Sequence, residues 1–177
     1  MNGFVVGLSH PLALPAHVLA LLGLGLLIGQ QMAGRRIVPL AAFVVGVSAG
    51  LTAIASGVGQ TSAADVLLAV AFANGALVAM ARPLPTLACA LLAAITGVTL
   101  GLDSPPEAIS IAVATAMLLG TGLGASLALA AIVAGTSYIA SVADWNWCRI
   151  GARILGSWIA ASAVLVLALR FARGQLF

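Results

Sequence analysis

From Ala108 to Ala143 the chain reads AISIAVATAMLLGTGLGASLALAAIVAGTSYIASVA, without a charged residue and without a proline. Its length of about 36 residues, at 1.5 Å rise each, makes about 54 Å of helix. The hydrocarbon core of a bilayer is roughly 30 Å thick, and about 20 apolar residues cross it. The stretch is therefore either one long tilted helix with an interfacial tail ending at Asp144, Trp145 and Trp147, or two short spans folded at Gly120-Thr121-Gly122-Leu123-Gly124. That glycine segment has no charge or proline to mark a loop at headgroup level. One span over about Ile109 to Tyr138, followed by a tail, is the better reading.

Working outward, the rest of the chain has the same character. Of its 177 residues 63% are hydrophobic and 6% charged, against roughly 25% charged in an average soluble domain. Too few polar groups are available to cover a water-facing surface, so lipid tails must cover most of it. All seven cations are arginines, and they oppose Asp65, Asp103, Glu107 and Asp144 for a formal net charge of +3. A nucleic-acid-binding surface gathers its Lys and Arg into one patch or stripe. Here they stand singly or in pairs between apolar runs, so nucleic acid is excluded as a partner.

The expected fold is all-α, a polytopic transmembrane helical bundle of six spans, or seven if the 108–143 stretch is split, forming a single transmembrane domain over 1–177. Five further spans flank or precede the long stretch. They cover about Pro11–Gln31, Pro39–Gly57, Ala64–Ala81, Pro85–Gly101 and Gly151–Phe171. Prolines open three of them, at positions where a missing N–H costs a helix nothing. Arg82 and Pro83-Leu84-Pro85 break the chain between the third and fourth. Glu107 falls in the first turn of the long fifth stretch, where a carboxylate suits the positive helix end.

Arginine placement predicts orientation, because short cytoplasmic loops carry the excess of basic residues. With the N-terminus outside, Arg35, Arg36, Arg82, Arg149 and Arg153 are cytoplasmic in the six-span arrangement, and Arg170 and Arg173 are external. Splitting the long stretch exchanges the last two pairs and leaves the tally at five in and two out, so charge alone does not fix the span count. In either case Asp65, Asp103, Glu107, His10 and His17 share the outer side. The basic residues follow the first apolar run rather than precede it, which argues against a cleavable signal peptide. Cys89 and Cys148 have neither metal-site nor disulfide spacing and read as packing residues. Gly46 with Gly50, and Gly120 with Gly124, have the spacing that lets membrane helices approach closely.

His10 and His17 are the only histidines. On a continuous helix seven residues make two turns, so the rings would stack on one face about 10 Å apart, too far for one metal ion. Pro11 and Pro15 make a bend between them feasible. The plain alternative has His10 at headgroup level and His17 making one hydrogen bond within the bundle. Both readings stay open, although ionisable residues inside spans are functional candidates by default.

The segment Gly7-Leu8-Ser9-His10-Pro11-Leu12-Ala13-Leu14-Pro15-Ala16-His17, with the apolar run after it, resembles the first span of the HupE/UreJ family. These are hydrogenase- and urease-associated membrane proteins regarded as nickel or cobalt permeases. The family signature there is His-Pro, a short spacer and Asp-His; His10, Pro11 and His17 match, and Ala16 stands where the aspartate would. Leu91 to Glu107 is similar to the second signature, with Gly97 and Gly101 retained and Thr96 and Leu100 at the histidine positions. Ile150 to Leu169 resembles the closing span. The resemblance implies a multi-pass protein of the bacterial inner membrane whose transported substrate is nickel or cobalt. With the other family ligands missing, His10, His17, Asp103 and Glu107 would meet such an ion if the ends of the first, fourth and fifth spans converge. A polar path inward would use Asn74, Thr96, Thr99 and Thr115.

The rival reading is a non-transporting small subunit of a larger membrane complex, or a homo-oligomer. It accommodates the missing ligands and the over-long apolar stretch. An enzyme is the weakest reading, since no Ser/His/Asp, HExxH or glycine-rich phosphate motif is present. Two histidines in one short segment do not form a haem ligand pair drawn from two helices.

Overall fold

The computed structural model describes residues 3–57, 63–81, 84–106, 110–142 and 145–174. Among these, all regular structure is helical: α1 (Gly3–Ala13), α2 (Pro15–Gly29), a single 3-10 turn at Ala33–Arg35, α3 (Ile37–Ala55), α4 (Ala63–Met80), α5 (Thr86–Leu102), α6 (Ile111–Val142) and α7 (Trp145–Gly174). Apolar runs become helices here because a backbone in hydrocarbon must satisfy its own N–H and C=O groups within the segment. Four helices, α3, α4, α6 and α7, are long and apolar enough to cross a bilayer, and the bent pair α1 and α2 makes a fifth when counted as one span. The expected fourth span, α5, has 17 residues, or about 26 Å of helix, which is at the short limit for a crossing.

The long apolar stretch is a single 32-residue helix that runs through Gly120–Gly124 without a break. Its polar side chains do not interrupt it because they are satisfied internally. Thr115, Thr121, Ser126, Thr136 and Ser137 each donate a hydroxyl to the carbonyl four residues earlier, a pattern that lets hydroxyls sit in an apolar helix.

The first span differs from its expected form. Rather than beginning near Pro11, helix starts at Gly3 and breaks at Leu14, where α1 and α2 meet at 71°. Pro15 causes the break: its ring disfavours helical backbone at the residue before it, and Leu14 is extended at φ −99°, ψ 120°. Pro15 then occupies the first position of α2, where its fixed φ suits a helix start.

Glycines weld the helices in pairs. A Cβ at Gly97 of α5 would lie 2.5 Å from the Phe43 carbonyl oxygen and 2.8 Å from the Val47 nitrogen of α3. Between α4 and α7 the same holds at Gly75 and Gly156, each facing the other's carbonyl oxygen at 2.8 and 2.7 Å. Between α1 and α6 it is Gly7 against Met117, and Gly120 and Gly124 against Phe4 and Leu8. Such contacts replace the hydrophobic drive that lipid abolishes between helices. The registers show that α3 and α5 run parallel, α4 and α7 antiparallel, and α1 and α2 both parallel to α6.

With short connections between neighbours, α2, α4 and α6 run one way and α3, α5 and α7 the other. The start of α2, the start of α4, and the ends of α5 and α7 therefore share one end of the bundle. α2 is the central helix, buried at nine of its fifteen residues. Leu21, Leu24 and Ile28 meet Phe43, Val47, Leu67, Leu68 and Leu129 in one core.

Candidate functional site

The break at Leu14 has a direct effect on the two histidines. Their rings lie 5.7 Å apart between centroids and meet edge to face at 75°, instead of about two helical turns apart. Two nitrogens each about 2 Å from a single ion place their ring centres roughly 4.5–6.5 Å apart. The bend thus brings the pair into the range in which both imidazoles can address one ion.

His17 sits at the first turn of α2 with its side chain fully buried, and its Nε2 lies 3.0 Å from Oδ2 of Asp103, whose side chain is 22% exposed. Asp103 follows the last turn of α5 as its C-cap residue, so the contact joins the start of one helix to the end of another. Among the described residues Nδ1 of His17 is buried with no hydrogen-bond partner. Next to Asp103, Ser104 is buried and donates to the Leu100 carbonyl at 2.8 Å. His10 is half-buried and, with Ser104, Met117 and Thr121, lines a small cleft between α1, α6 and the turn after α5. Exposure falls from Asp103 and His10 to the fully enclosed His17, so polar groups lead from the rim of the bundle into it.

Deeper in, Asn74 of α4 and Thr96 of α5 are fully buried, and the Asn74 amide donates to Thr96 Oγ1 at 3.3 Å. The Thr96 hydroxyl donates to the Leu92 carbonyl at 2.7 Å, so it offers Asn74 only an acceptor. Among the described residues Asn74 Oδ1 is buried and has no hydrogen-bond partner, an uncommon arrangement that a core polar group does not adopt without cost. Thr99 is also buried and bonds the Ile95 carbonyl at 2.8 Å.

Not every residue of the expected site is gathered here. His10, His17 and Asp103 come to one end and Asn74, Thr96 and Thr99 lie within, but Thr115 is exposed on the outer face of α6 with its hydroxyl turned to Ile111. Glu107 lies outside the described residues. Among the described residues no group of three or more His, Cys, Asp and Glu side chains is placed to hold a metal ion, so the histidines form a pair with a carboxylate behind one of them rather than a closed ligand cage.

The sequence reading did not anticipate Ser104, nor the ion pair between Arg170 at the end of α7 and Asp65 in the first turn of α4, 2.7 Å from Nε to Oδ1. The guanidinium N–H is poorly aligned there, since Oδ1 lacks a well-formed hydrogen bond, and the contact is one of charge. The signal available was an arginine near the last turn of a terminal span and an acid at the start of another. Their pairing depended on which spans were neighbours. At the opposite end Arg36 and Arg153 donate to the carbonyls of Gln31 and Ala79 at 2.8 and 3.0 Å.

Fold and site together define a multi-pass helical membrane protein with a histidine–carboxylate cluster at one end. A family model described as HupE / UreJ protein matches residues 1–166, and the chain belongs to that family. No curated protein and no solved structure shows a significant match.

Proposed function

We propose that this protein moves or delivers a divalent transition-metal ion, nickel or cobalt, across the bacterial inner membrane. The ion is received at the end carrying His10, His17 and Asp103, which faces outside together with the N-terminus. The observation that carries the reading is the 71° break that sets the two imidazoles 5.7 Å apart. A sharp bend in a span is tolerated only where neighbours re-satisfy the freed backbone, and this one serves to bring together the two ligand-type side chains. Imidazole suits nickel and cobalt better than harder oxygen donors do. Asp103 also supplies from α5 a carboxylate beside His17, where the family signature has an acid at the position of Ala16. The inward route runs past Asn74, Thr96 and Thr99, and Thr115, on the lipid-facing side of α6, lies off it.

Uptake of radioactive nickel or cobalt by cells carrying the protein tests this. The expected outcome for His17→Ala is a loss of at least about tenfold, the scale on which losing a ligand or its support acts. Uptake equal to that of the unaltered protein removes the histidine from the mechanism.

One observation favours the rival reading, a small subunit of a larger complex or homo-oligomer. The 32 residues of α6 measure about 48 Å, and its outer face carries exposed Leu119, Leu123 and Leu127. Gentle extraction from native membranes separates the two: a transporter is recovered alone or with its own copies, and a subunit comes with large partners.

A further inference from the structure

We propose that Asp103 is a positioning residue for His17: by accepting its Nε2–H it holds the imidazole in the tautomer whose Nδ1 presents a lone pair to the cargo ion. The proposal rests on the metal reading above and assigns a role within it. It also separates Asp103 from the ligands, among which the sequence placed it.

An ionised carboxylate only accepts, and a neutral imidazole donates from one nitrogen and accepts at the other. Nε2 lies 3.0 Å from Asp103 Oδ2, a contact that a neutral ring makes to an ionised carboxylate with its proton on Nε2. Among the described residues Nδ1 has no partner, and the side chain is fully enclosed. The ring therefore carries a free, water-shielded lone pair. A metal-binding histidine characteristically has this arrangement, donating its other N–H to a carboxylate that fixes tautomer and ring orientation. His10 stands 5.7 Å away as the second imidazole.

The test uses the full chain in lipid nanodiscs, with 15N-labelled histidine for NMR and Co(II) titration followed by visible absorption. In the metal-free protein His17 is expected as the Nε2–H tautomer, a readout that needs no variant. Asp103→Asn keeps the shape but can turn its NH2 toward Nε2 and so permit the Nδ1–H tautomer. The expected result is that this tautomer appears and Co(II) affinity falls roughly 10–100-fold. Three results overturn the proposal: Nδ1 protonated in the unaltered chain, affinity unchanged in Asp103→Asn, or affinity lost with the tautomer unchanged, which would make the Asp103 oxygen itself a ligand. An unaltered chain that binds no Co(II) is a failure of the metal reading, and it is seen before any variant is made.

Discussion

The pair α3 and α5 and the pair α1 and α2 are built from similar residues and behave oppositely. α3 and α5 are joined backbone to backbone, with Gly46, Gly50, Gly97 and Gly101 leaving no space for a side chain between them. α1 and α2 belong to one apolar run that proline breaks at Leu14, and the break opens a corner in which His10 and His17 meet. Glycine at helical spacing closes an interface, whereas proline at the right register makes a place for polar groups. A membrane bundle needs both, because lipid offers helices no hydrophobic reason to associate and offers polar side chains no partner.

The closed pair is the more sensitive of the two to substitution. Gly97→Val places methyl groups where the backbone of α3 already lies, and is expected to cost at least about 3 kcal/mol, beyond the usual overpacking range because backbone cannot yield as a side chain can. Loss of folded protein from the membrane fraction and a lowered Tm would register it. Retention of the normal Tm would mean that α3 and α5 are not welded as described.

At the open pair a smaller effect is expected. Pro15→Ala releases Leu14 from its pre-proline restriction, but α1 remains held on α6 by Gly7, Gly120 and Gly124. Stability should change by about 1 kcal/mol or less, while Co(II) affinity drops several-fold as the corner loosens. A fall in Tm without a change in affinity would show that the proline serves stability and not the site. The smallest effect sharpens the same contrast from outside. Thr115→Val on the exposed face of α6 should leave metal uptake unchanged and stability within about 0.5 kcal/mol, as at surface positions away from special features. A clear loss of uptake would return Thr115 to the route.

Much of the architecture is legible in the residues. Apolar runs punctuated by Pro83, Pro85, Gly57 and the Asp103–Pro106 turn place most helix boundaries within a few residues of those observed, because a segment in hydrocarbon has no alternative to helix. Two elements were less readable. The helix at Gly3–Ala13 falls outside the expected first span except for its last turn, since Ser9, His10 and Pro11 interrupt its apolar run and what holds it is its contact with α6. α5, at 17 residues, counts as a span by its flanks more than by its length.

The candidate site divides along the same line. Composition and the residues around His10 and His17 determined a polytopic helical membrane protein with two imidazoles near one end, since both follow from chemistry local in the chain. Whether those imidazoles stood two turns apart or side by side depended on the angle at Leu14, which the contact of α1 with α6 holds. That Asp103 meets His17, and that Asn74 faces Thr96, depended on which helices became neighbours. Periodic apolar faces look alike to one another, so only the glycine-fitted approach of particular backbones in three dimensions could select those partners.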